Sequence, residues 1–145
     1  MMAIFSFHHL LLVNILLASY LTGLIFVIQF VHYPSFKFIE EKNFLEFEKF
    51  HVQKISLIVM APMILELISS IIMACLFPSF PSILSFICVF FIWASTIFLS
   101  VPLHEILKSK KCEKTIQKLI LTNWPRAIFW PIRLLVLIII FFQGR

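Results

Sequence analysis

Apolar residues dominate four long stretches of the chain, about 5–32, 55–77, 83–103 and 124–142, and polar residues collect between them. Each stretch has membrane-spanning length, since about 20 helical residues rising about 1.5 Å apiece cross a hydrocarbon core about 30 Å thick. The pattern predicts an all-α, polytopic membrane protein: a four-transmembrane-helix bundle forming a single domain over residues 1–145. Amphipathic interfacial segments are expected in loops one and three.

The few polar residues inside these stretches are periodic. In the first, Ser19, Thr22 and Gln29 fit an inward face, and His32 lies a turn beyond. Val31-His32-Tyr33-Pro34 predicts the helix end, because proline disfavours helical geometry in the residue before it and tyrosine suits a membrane interface. Phenylalanines at 36, 38, 44, 47 and 50 give the next segment an amphipathic character. Asn43 is the expected N-cap there, with Glu46 at N3, and the segment's charges read as a solvated face. This segment either lies at the interface or leads directly into helix two.

In the second stretch Pro62 predicts a bend, followed by Glu66, Ser69 and Ser70. An uncharged Pro-Ser turn over 77–82 leads to the third, where Trp93 precedes Thr96, Ser100 and His104, the last three spaced by four. Pro102 marks the expected exit. Asn123, Arg126, Trp130 and Arg133 then come at intervals of three, four and three, which puts them on one helical face.

Composition agrees with the membrane reading: 61% of residues are hydrophobic, 13% are charged, and mean hydropathy is +1.05. A soluble domain carries about twice that share of charge. Two glycines leave no scope for Gly-x-x-x-Gly packing, so the 18 phenylalanines are expected to fill the gaps between helices and face lipid. The net charge of +5 is concentrated in loops and reads as a topology signal, without the interleaved aromatics that nucleic-acid binding would need. Cys75, Cys88 and Cys112 have no metal or redox spacing. The first apolar stretch lacks a basic leader and is too long for a signal peptide, so it is expected to remain as a span.

Four alternating spans bring His32, His51, His104, Asn123 and Arg126 to one side, together with both charged loops. The positive-inside rule predicts that this side is cytoplasmic in a cell membrane (a bacterial inner membrane), with both termini outside. Glu66 and Arg133 each lie eleven residues from the opposite boundary, taken at Phe77 and Gly144. That is about 16 Å, near mid-membrane. Two such charges are expected to pair, because either alone would be costly. His51 lies about 22 Å above Glu66 along a straight helix, so the histidines and the pair form two levels of one polar channel.

Histidines from three elements at one face suit metal or haem ligation, with His32, His51 and His104 as the ligands, or acid–base chemistry by His32, His104 and Arg126. Asn123 and Arg126 are placed to orient an anionic or carbonyl group. Glu66 and Arg133 would form the pocket floor, with Trp93 and Trp130 as walls. Two function classes emerge. One is an enzyme whose loop-side pocket binds a small apolar molecule or a metal or other cofactor, with His32 and His104 as ligands or acid–base groups. The other is a non-catalytic assembly or a proton or solute pathway centred on Glu66. The bilayer and a small lipophilic ligand are the expected partners.

Five motifs carry a family likeness: Val31-His32-Tyr33-Pro34, Phe47-x-x-Phe50-His51, Ala61-Pro62-Met63 with Glu66, Val101-Pro102-Leu103-His104, and Asn123-Trp124-x-Arg126 with Trp130 and Arg133. Together they resemble a group of bacterial four-helix membrane proteins and, more distantly, the anthrone-oxygenase-like membrane proteins. That resemblance implies a four-span fold and redox chemistry, dependent on a metal or cofactor, or oxygenation of a lipophilic small molecule. His104 stands where the anthrone-oxygenase-like pattern has a small amide residue.

Overall fold

The computed structural model describes residues 7–143. Four helices are long and apolar enough to cross a membrane: α1 (Phe7–Phe38), α2 (Glu41–Leu76), α3 (Phe80–Leu107) and α4 (Glu113–Gln143). No strand occurs among the described residues. The expected helix start at Phe5 and Arg145 on the opposite face lie outside them.

Each helix packs against its sequence neighbour, and α1 closes the ring on α4. The pairs α1/α3 and α2/α4 therefore face each other diagonally. Large side chains fill the centre, among them Phe36, Met63, Ile92 and Trp130, all at most 1% exposed. Outward positions are apolar as well, including Leu16, Leu57, Phe90 and Leu135, as a lipid-facing surface requires.

The helices run further than the apolar stretches. Helix α2 begins at Glu41 and continues unbroken through Pro62 to Leu76, so the amphipathic segment leads directly into the span. Phe44, Glu48 and His51 are buried along one face that continues to Met63 and Glu66, and this shared stripe holds the extension in place. The N-cap position is Glu40, and Asn43 lies within the first turn. At the other end of the bundle Ser79 caps α3 by accepting from the Ser82 backbone N–H at 3.3 Å.

Neither Pro34 nor Pro102 ends its helix. Each is preceded by a five-residue π-helical turn, Ile28–His32 in α1 and Thr96–Ser100 in α3. Proline has no N–H and its ring crowds the carbonyl four residues back, here that of Phe30 or Phe98. Widening the preceding turn accommodates both defects: the Tyr33 and Val101 N–H groups reach back five residues, to the Ile28 and Thr96 carbonyls. The extra residue rotates the downstream part of the helix by about 100°. In α1 this brings Tyr33, rather than His32, fully into the core.

In α4 the loop end is a separate amphipathic helix, Glu113–Thr122, which buries Ile116 and Leu119. It breaks at Asn123 and resumes as Trp124–Gln143.

Candidate functional site

Two polar networks lie inside the bundle. The deep one spans the α2/α4 diagonal. Arg133 Nη1 donates to Glu66 Oε1 at 2.8 Å, and both side chains are fully buried. The pair expected from depth alone is therefore formed. Trp130 Nε1 donates to the same carboxylate, at 3.0 and 3.2 Å from its two oxygens. Arg133 Nη2 donates to Ser70 Oγ at 2.7 Å and to Asn14 Oδ1. Ser70 and Ser69 donate to that Asn14 oxygen at 3.1 and 3.3 Å. The Asn14 amide is oriented by its own Nδ2, which donates to the Leu10 carbonyl at 2.9 Å. Trp130 thus serves as a hydrogen-bond donor to the pair as well as packing in the core.

Asn14 carries the α1 side of this network, and its position in the sequence is readable only in hindsight. It falls eight residues before Thr22 on the face that buries Ala18, Thr22 and Ile25. Ser19, expected on the inward face, is exposed.

The second network lies at the end of the bundle that carries the charged loops. His104 Nδ1 is 2.7 Å from Glu48 Oε1, and His104 Nε2 is 3.2 Å from the Tyr33 hydroxyl. Arg126 Nη2 donates to the Tyr33 oxygen at 3.2 Å. The donor inventory orients the chain. A guanidinium only donates and a carboxylate only accepts, so His104 Nδ1–H donates to Glu48; with the imidazole neutral, its Nε2 accepts from the Tyr33 hydroxyl. The result is a continuous relay, Arg126 to Tyr33 to His104 to Glu48, drawn from all four helices.

Glu48 is fully buried, so it does not belong to the solvated face expected for its segment. Tyr33 is 4% exposed and sits at the centre of the relay, so it is no interfacial anchor. For Glu48 the available signal was its spacing, three residues before His51 on the same helical face. For Tyr33 there was none, because the π turn that rotates it inward leaves no mark in the hydrophobic pattern.

His32 and His51 form their own contact, with Nε2 and Nδ1 2.6 Å apart. The His51 and His104 rings lie 5.4 Å apart, and buried Phe36 meets His51 edge-on at 5.1 Å. The three histidines thus converge. Among the described residues, however, no three His, Cys, Asp or Glu side chains are grouped so as to hold a metal ion.

Asn123 does not join the histidines. Its Nδ2 donates to Gln29 Oε1 at 2.7 Å, and Gln29 Nε2 donates to the Ile120 carbonyl at 3.2 Å, which ties α1 to the break in α4. Trp93 is half-buried against the apolar core.

A cleft of about 120 Å³ opens beside the relay. Tyr33, His104, Arg126 and Ser100 supply polar groups, and Ile28 and Val59 are among its apolar walls. Exposed Ser56 and Met60 of α2 and exposed Val101 of α3 also line it, so it opens outward between α2 and α3. Both π turns contribute to its lining, through Ile28 and through Thr96 and Ser100.

Comparison with family models, with curated proteins and with solved structures finds no match, so no relative lends this site a function.

Proposed function

We propose that this multi-pass membrane protein is an enzyme that binds a lipophilic small molecule in the α2/α3 cleft and moves a proton on it. One observation carries the reading: a Glu–His–Tyr relay with a buried carboxylate at its far end opens into a cleft whose other walls are mostly apolar. In such a relay the Tyr33 oxygen takes a proton from the ligand as its own passes to His104 Nε2. The Glu48 carboxylate stabilises the imidazolium that forms, as general acid–base chemistry requires. Arg126, donating to the same phenol oxygen, favours its transient negative charge. Removal of a proton beside a carbonyl is the step this arrangement suits. An oxidative outcome of the kind the anthrone-oxygenase likeness implies requires an electron acceptor in addition.

The test uses the purified protein in lipid nanodiscs, incubated with a solvent extract of its source membranes and followed by mass spectrometry. Wild type is expected to convert at least one lipophilic compound, with His104→Gln and Tyr33→Phe inert. An extract left unchanged by wild type overturns the reading.

The convergence of His32, His51 and His104 at one end of the bundle favours a second reading, in which histidines hold a metal ion or haem for redox chemistry; the His32 and His51 nitrogens, hydrogen-bonded at 2.6 Å, would have to part to take it. Elemental analysis and a Soret absorbance scan of protein purified in mild detergent test it. Stoichiometric metal or haem lost on His32→Ala favours it, and a colourless, metal-free preparation that still turns over substrate excludes it. In either case the charged loops are taken to face the cytoplasm of a cell with a basic-inside bias.

A further inference from the structure

Arg126 is only 5% exposed, yet no carboxylate touches it among the described residues. Its single hydrogen-bond partner among them is the neutral Tyr33 hydroxyl, and its buried Nε has none. Arg133, the other buried arginine, also leaves its Nε unpartnered, but there the fold supplies a buried carboxylate at 2.8 Å. A guanidinium shielded from water without an anion is costly, and the cost falls when an anion arrives. A second donor on the same cleft is also unsatisfied. Ser100 Oγ is buried, lines the cleft and has no partner among the described residues. Glu105 at the rim does not neutralise the cleft, because Lys108 engages it at 2.6 Å.

From these two unfilled donors, and resting on the cleft being a ligand site, we infer that the ligand is an amphiphilic carboxylate. Its carboxylate accepts from Arg126 and Ser100, and its apolar tail leaves along the α2/α3 opening past Met60 and Val101. A cavity of about 150 Å³ holds one benzene, so the 120 Å³ here has room for a carboxylate with its first carbons. The tail has apolar helix surface to lie against outside the cleft, where Leu57 is 71% exposed. The lysines of the loop before α4 raise the local concentration of such anions at the membrane surface.

The experiment measures binding of radiolabelled dodecanoate and dodecan-1-ol to the purified protein in a neutral detergent at mildly alkaline pH. Charge-assisted hydrogen bonds are the stronger kind, so dodecanoate is expected to bind at least about tenfold more tightly than the alcohol. Arg126→Gln is expected to erase that preference. Arg126→Lys retains the charge and much of the preference, and Ser100→Ala weakens dodecanoate alone. Equal binding of acid and alcohol to wild type overturns the carboxylate inference while leaving the lipophilic cleft intact. Binding of neither overturns both. Tighter binding of dodecyl phosphate than of dodecanoate overturns the choice of carboxylate over phosphate. The wild-type comparison needs no variant, so it decides the matter even where Arg126→Gln fails to fold.

Discussion

Glu66 and Arg133 illustrate how a charge is kept in an apolar interior. Each arginine nitrogen that bonds does so to an oxygen fixed by another helix: Glu66 and Ser70 from α2 and Asn14 from α1. The carboxylate accepts from two N–H groups, Arg133 Nη1 and the Trp130 indole, whose single N–H is shared between both oxygens. Breaking such a buried pair costs about 3–5 kcal/mol, because the remaining charge keeps its desolvation penalty. Glu66→Gln and Arg133→Gln are each expected to lose about that much in equilibrium unfolding in mixed micelles. The double variant should lose clearly less than the sum; additive losses would show that the two do not act as a unit. Trp130→Phe removes one donor and keeps much of the ring volume, so a smaller loss of about 1–3 kcal/mol is expected.

At the scale of the element, the two π turns matter most. Phe30-Val31-His32-Tyr33-Pro34 and Phe98-Leu99-Ser100-Val101-Pro102 place a proline at the same distance from the same kind of turn, on the two helices that face each other across the bundle. Both turns line the cleft and both aim relay residues, Tyr33 directly and His104 one turn on. Replacing Pro34 or Pro102 by alanine restores an N–H and removes the ring clash, which permits an ordinary α turn. Helix content by far-UV circular dichroism is expected to hold or rise, while substrate turnover falls because the residues beyond the turn rotate by about 100°. Unchanged turnover in Pro102→Ala would show that the π geometry is incidental to the site. The amphipathic start of α2 belongs to the same scale: Glu48 and His51 are buried only because the helix does not break at the membrane surface.

For the whole molecule, the ring of four helices sets one polar network at the end bearing the charged loops and the other deep between α2 and α4. One buried apolar cluster, with Ile25, Met63 and Ile92 at most 2% exposed, holds both Tyr33 of the first network and Trp130 of the second. Apolar packing thus links the two levels that the sequence pattern joins as one channel. Orientation in the membrane can be read with a native probe. Cys112 lies in the basic loop, and Cys88 is buried. In a Cys75→Ser variant, a membrane-impermeant maleimide is expected to label Cys112 in inside-out vesicles and not in right-side-out ones. The reverse pattern would place the basic loop outside.

Much of this architecture was legible in the chain. Four apolar stretches of membrane length fix the number of spans, since backbone hydrogen bonds in lipid must be met within each helix. Alternation of direction then groups His32, His51, His104 and Arg126 at one end. Equal depth pairs Glu66 with Arg133, because two lone charges there would be prohibitive. Periodicity along single helices could not go further. Which face of α1 turns inward past Ile28 depends on how Pro34 is accommodated. Whether Glu48 meets water depends on whether α2 bends at the surface. That Asn14 serves Arg133, and that Asn123 answers Gln29 rather than the histidines, depends on helix rotation and on the α1/α4 contact. Those are decisions of packing between helices, where a rotation of a few tens of degrees exchanges one partner for another while leaving the hydrophobic pattern unchanged.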